Sequence, residues 1–236
     1  MARVRLAFRR LIPASRFGLA WPCFAVQSSR METKQAAEHL QVIRTLMERS
    51  ALYRRALAPI MTFAGLLGVL AAGTGLLVHL DSTRVFAGLW LGTAVVAVAG
   101  AFLIARRQAF KDNEGFWSPP TRRVAQALSA PLAVGLMIGI WFVFPSAAEG
   151  NLAQLAILWV IFYGCALHSA GFFMPRGVRW FGWIFIFGAF ILLFYPPLTR
   201  KNIRYDPQWV MGFFFGVLHL AYGAYLYFTE QRKNVA

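Results

Sequence analysis

Two histidines inside apolar stretches are the residues best placed to do chemistry. His168 stands in Tyr163-Gly164-Cys165-Ala166-Leu167-His168-Ser169, and His219 in Phe215-Gly216-Val217-Leu218-His219-Leu220-Ala221-Tyr222. A polar side chain in hydrocarbon is costly, so an intramembrane imidazole invites a function. The pair could ligate haem iron from opposite faces, as in a b-type cytochrome. It could pass protons along a relay. Or each ring could hydrogen-bond across helices, to a backbone carbonyl or to Tyr163, Tyr222, Ser169 or Thr93, and this is the reading the residues favour. Haem is the alternative; the expectation is a chain without a cofactor.

Other catalytic constellations are missing from the sequence. There is no Gly-rich phosphate loop, no His-Glu-x-x-His, no serine-hydrolase elbow and no pair of carboxylates in an apolar run. Cys23 and Cys165 stand far apart with no Cys-x-x-Cys, so neither a metal site nor a disulfide framework is indicated. The expectation is a non-enzymatic protein with no catalytic residue and no metal.

The elements that carry the histidines follow from composition. Hydrophobic residues make up 58% of the 236 residues and charged residues 14%, where a soluble domain carries about a quarter charged. A spanning helix needs about 20 apolar residues. Six runs qualify: 57–80, 85–105, 125–144, 152–174, 178–198 and 209–228. They are continuously apolar, whereas barrel strands would alternate. The breaks hold helix stoppers and polar groups: Asp81-Ser82-Thr83-Arg84, Lys111 to Gly115 with Ser118-Pro119-Pro120, Pro145, Met174-Pro175 and Pro196-Pro197. The fold class expected is an all-α membrane protein, a bundle of about six transmembrane helices over 57–230 with a basic tail at 231–236.

The net charge of +15 does not point to nucleic acid. Eleven of the 24 Lys and Arg precede residue 56, and most others sit in short connections. That is the charge pattern of membrane topology. With the N-terminus inside, 20 of these cations fall inside and 4 outside. Both termini are therefore expected in the cytoplasm. Trp117, Trp180, Trp183, Tyr195, Tyr205, Trp209, Tyr225 and Tyr227 cluster near run ends, as interface anchors do.

Small residues four apart let helices approach closely. Gly88 with Gly92, Gly135 with Gly139, and Gly212 with Gly216 make such pairs, and Ala64, Gly68 and Ala72 form a stripe in the first run. Close packing inside the bundle is expected for all of them.

Residues 1–30 hold six Arg and no acid, and the character changes at Met31. A misassigned start with Met31 the true one, a flexible basic arm and a transit peptide are the readings; the change at Met31 favours the first. In the segment 31–56, Ala36, Leu40, Ile43, Met47 and Ala51 recur at spacings of three and four. This predicts an amphipathic interfacial helix. A protein partner, or a second copy, would dock through 32–55.

Two segments carry a family likeness. Leu46-Met47-Glu48-Arg49-Ser50-Ala51-Leu52-Tyr53-Arg54-Arg55 and His219-Leu220-Ala221-Tyr222-Gly223-Ala224-Tyr225-Leu226-Tyr227-Phe228-Thr229-Glu230 resemble a group of uncharacterised small bacterial multi-pass membrane proteins with no known activity. The resemblance covers 31–236 and implies a six-helix architecture in a bacterial inner membrane. The function expected is a sensor, regulatory or partner-binding membrane subunit; a small transporter or channel using His168 and His219 is the alternative, with the haem carrier third.

Overall fold

A backbone crossing hydrocarbon must satisfy its own N–H and C=O groups, and a long apolar run does so as a helix. The computed structural model describes residues 56–79, 82–111, 116–144, 152–199 and 205–234. Among them helices dominate and no strand occurs. Six helices are long and apolar enough to cross a membrane. They are α1 (Ala56–Leu77), α2 (Thr83–Lys111), α3 (Pro119–Val143), α4 (Leu152–Ala170) and α5 (Arg176–Thr199). The sixth starts as α6 (Pro207–Met211), passes through a π-helical stretch (Gly212–Val217) and continues as α7 (Leu218–Asn234). The segments 1–30 and 31–55 lie outside the described residues.

Where the helix ends differ from expectation, local chemistry explains it. Helix α1 stops at Leu77, three residues early, because His79 turns left-handed at φ 49°; a left-handed residue just past the last turn is a common helix stop. Helix α3 starts at Pro119-Pro120 instead of after them. Proline in the first turn loses nothing, since that N–H has no helical acceptor. Helix α4 ends at Ala170 and leaves Phe172 and Phe173 exposed in a turn. Helix α5 carries Pro196-Pro197 within its last turn. The sixth span begins at Asp206-Pro207, where the Asp206 carboxylate accepts from the Gln208 N–H at 2.8 Å, a side-chain N-cap.

Glycines mark where the helices meet. On α1, a Cβ added at Gly68 would lie 2.3 Å from the Phe215 carbonyl oxygen, and one at Gly65 would lie 2.7 Å from the Leu220 nitrogen. From the other side, Gly212 faces Ala72, Gly216 faces Val69 and Gly223 faces Thr62. The first and last spans thus touch backbone to backbone. On α4 and α5, Gly164 meets the Gly182 carbonyl and Gly182 meets the His168 backbone. Helix α3 brings Gly139 onto the Trp159 ring of α4, with Gly135 in looser contact. Helix α2 receives Phe63 of α1 at Gly100. Helix α4 has 44% of its most apolar window buried, against 11% for α2 and for α3. The enclosed elements are therefore α4 and the sixth span, and these carry the two histidines.

One pair of small residues stands apart from the others. Gly88 and Gly92 meet nothing within 4 Å among the described residues. Their face of α2 also carries the exposed Val85 and Val95. The pattern of small residues marks a face; it does not say whether a neighbour covers it.

Gly68→Ala should therefore force the α1 and sixth-span backbones apart and cost about 1–3 kcal/mol, the usual range for overpacking. Gly88→Ala meets open space and gains helix propensity, so it should be neutral or stabilising. Thermal unfolding of the two variants in one detergent checks the contrast.

Candidate functional site

His219 is the most fully buried polar side chain described, at 1% exposure. Its Nδ1 lies 3.0 Å from the Phe214 carbonyl oxygen, and its Nε2 lies 2.7 Å from the Tyr163 hydroxyl. A carbonyl can only accept, so the ring proton sits on Nδ1. Nε2 is then the acceptor, and the Tyr163 O–H donates to it. Both nitrogens of a neutral imidazole are satisfied.

The π-helical stretch supplies the acceptor. In an α-helix the Phe214 carbonyl would accept from the Leu218 N–H, four residues on. Here the Leu218 N–H donates to the Phe213 carbonyl, five residues back. The Phe214 carbonyl is thereby relieved of its α-helical donor, and the His219 ring takes that place. Such one-turn π insertions recur at functional positions in helices.

Aromatic rings close around the bond. Phe181 and Phe185 stand edge-on to the imidazole at 5.3 and 5.5 Å, and Phe215 lies nearly parallel to it at 6.1 Å. Tyr163 itself contacts Phe185 and Phe215 at 5.3 and 4.9 Å. Tyr222 stacks on Phe181 at 4.5 Å. The Tyr163–His219 bond ties α4 to the sixth span, inside an apolar wall that excludes water and strengthens each hydrogen bond.

His168 stands apart. Its ring packs edge-on against Trp183 at 4.8 Å and Phe172 at 5.4 Å, and it shares no ring neighbour with His219. Its Nδ1 is buried without a hydrogen-bond partner among the described residues. The five-position step from Tyr163 to His168 turns a helix by about 140°, so the two side chains leave α4 on different faces. The histidines are not brought together. His219 could bind a haem iron only by giving up one of its two bonds. Among the described residues no three of His, Cys, Asp and Glu gather as a metal site would require.

A second buried polar contact escaped the sequence reading. Gln208 is 3% exposed, and its Oε1 accepts from the Trp90 indole N–H at 3.0 Å. This joins α2 to the start of the sixth span, against Gly75 of α1. The Gln208 Nε2 has no partner among the described residues. Gln208 follows Asp206-Pro207 at a helix start, where a glutamine ordinarily faces water, so nothing in its spacing marks it as buried. Thr93, a candidate partner for the histidines, donates instead to the Leu89 carbonyl in its own helix at 2.8 Å.

The chain matches no family model, no curated protein and no solved structure.

Tyr163→Phe should leave Nε2 of His219 buried and unpaired, at about 1–3 kcal/mol. His219→Phe should cost less on the Tyr163→Phe background than alone, with a coupling of about 0.5–3 kcal/mol. His168→Phe removes an unpartnered nitrogen and should be tolerated. A double-mutant cycle on unfolding in detergent measures all three.

Proposed function

We propose that this chain is a non-catalytic regulatory or sensing subunit of a bacterial inner membrane, with both ends in the cytoplasm, acting through a protein partner. The observation that carries the reading is the closed hydrogen-bond chain from Tyr163 through His219 to the Phe214 carbonyl. It consumes the most buried intramembrane polar group in holding one helix register against a neighbouring span. A regulatory subunit needs an element with two discrete arrangements. The π-helical stretch at Gly212–Val217 supports such an element, since returning it to α geometry would rotate α7 relative to α6.

Charge supports the orientation: 106–124 is basic, Arg176 and Arg179 fall on the same side, and 145–151 has no Lys or Arg, with Arg200, Lys201 and Arg204 the one exception. The segment 32–55 is the proposed contact surface. Deleting 32–50 is expected to abolish a specific crosslinked partner in membranes, and His219→Leu to alter its crosslinking without loss of the chain. An unchanged crosslink pattern in both would overturn the reading.

The transport alternative requires a polar path. The buried polar side chains among the described residues are Thr83, Gln208 and His219, and no hydrogen bond links one to another. Liposomes carrying the chain are expected to show no solute flux that His168→Ala or His219→Ala removes. The purified protein is expected to show no Soret band.

A further inference from the structure

We infer that the paired ends of α2 and α3 form a binding site for the head group of an anionic phospholipid. Helix α2 has 29 residues, about 43 Å at 1.5 Å per residue, while the hydrocarbon core is about 30 Å thick. Its last turns therefore stand at head-group depth. Arg106, Arg107 and Lys111 project from them, all exposed, and the exposed Arg122 and Arg123 open α3 beside them. Helices α2 and α3 pack together, and Ala109 and Val124 are buried near these ends. The small and apolar residues thus turn inward and the five cations outward.

Charge alone would describe any membrane-facing loop. The rings beneath the cations add a depth and a floor. Phe116, just before α3, meets Phe102 of α2 edge-on at 4.8 Å, and Trp117 follows at 6.1 Å from Phe116. Phe116 is thereby held against α2, with Trp117 60% exposed. Phe102, Arg106 and Phe110 share one stripe, and the Arg106 guanidinium lies 5.4 Å over the Phe110 ring. An amphipathic aromatic ring seats at the glycerol level of a bilayer, and guanidinium groups grip phosphate oxygens two at a time. Over 106–123 the sequence sets five cations against Asp112 and Glu114, a net +3. A phosphodiester held at this depth belongs to a phospholipid. A zwitterionic head group brings its own cation into that field, so the site favours a lipid with net negative charge.

The test is native mass spectrometry of the full chain, loaded with equimolar phosphatidylglycerol and phosphatidylcholine. Phosphatidylglycerol should be retained preferentially, by roughly fivefold for each cation engaged. The variant Arg106→Gln, Arg107→Gln, Arg122→Gln, Arg123→Gln should retain the two lipids equally, with its unfolding temperature in detergent showing that it folds. Arg84→Gln, on the opposite end of α2, and the pair Arg176→Gln, Arg179→Gln should keep the preference. Equal retention by the unaltered chain would overturn the inference. So would a preference that survives the fourfold variant, or one lost as fully with Arg176→Gln, Arg179→Gln, since either means diffuse charge. Displacement of the lipid by millimolar inorganic phosphate would assign the cations to a free anion, and would overturn it too.

Discussion

In hydrocarbon no solvent stands ready to hydrogen-bond a polar group, so each must be partnered from within the protein or bear the cost. The bundle is arranged around that constraint. His219 is the most enclosed polar group described, and it reaches two partners at once: a tyrosine on α4 and a carbonyl of its own helix. The second partner exists because six residues of that helix are wound as π rather than α. A π turn weakens the helix locally. The imidazole bond offsets this loss, while the π turn in turn positions the ring toward α4. Neither would persist well without the other.

The glycines obey the same logic in terms of space. Polar adhesion across a span requires that the backbones come close, and Gly65 and Gly68 meeting the sixth span at Phe215 and Leu220 provide that approach. Rings fill what the glycines leave: Phe214 lies against Gly188, and Trp159 against Gly139. The indole N–H of Trp159 also donates to the Gly135 carbonyl at 2.8 Å, so even this large ring is fixed by one polar bond at a helix backbone.

Much of the fold was legible in the sequence, and much of the site was not. Span number followed from run length, because bilayer thickness sets a length that soluble folds do not share. Ser118-Pro119-Pro120 reads as a stop in the sequence yet opens a helix, and the start at Asp206-Pro207 emerges only from the structure. His219 stood out because a histidine in an apolar run is rare. Its partner did not: Tyr163 was one of several hydroxyls within plausible reach, and only the rotation of α4 selects it. The π turn has no signature in Gly212 to Val217. The separation of His168 from His219 also depends on rotation, which depth along the membrane does not reveal. Gln208 was invisible for the opposite reason, since a polar residue beside a proline reads as an ordinary solvated helix start.

The contact between the first and last spans bears on the birth of the protein. Residues around 65–72 and 212–223 come together although more than a hundred residues separate them, so this contact cannot form until the sixth span has been synthesised. Until then α1 lies with a bare glycine face, Trp90 lacks the glutamine oxygen that accepts from its indole N–H, and Tyr163 lacks its histidine. Every cross-bundle polar bond described to the sixth span waits for that span. A chain lacking that span would leave these groups unpaired in the lipid, at the cost such groups bear in hydrocarbon. The sixth span thus completes hydrogen bonds that residues of α2 and α4 hold open until it arrives.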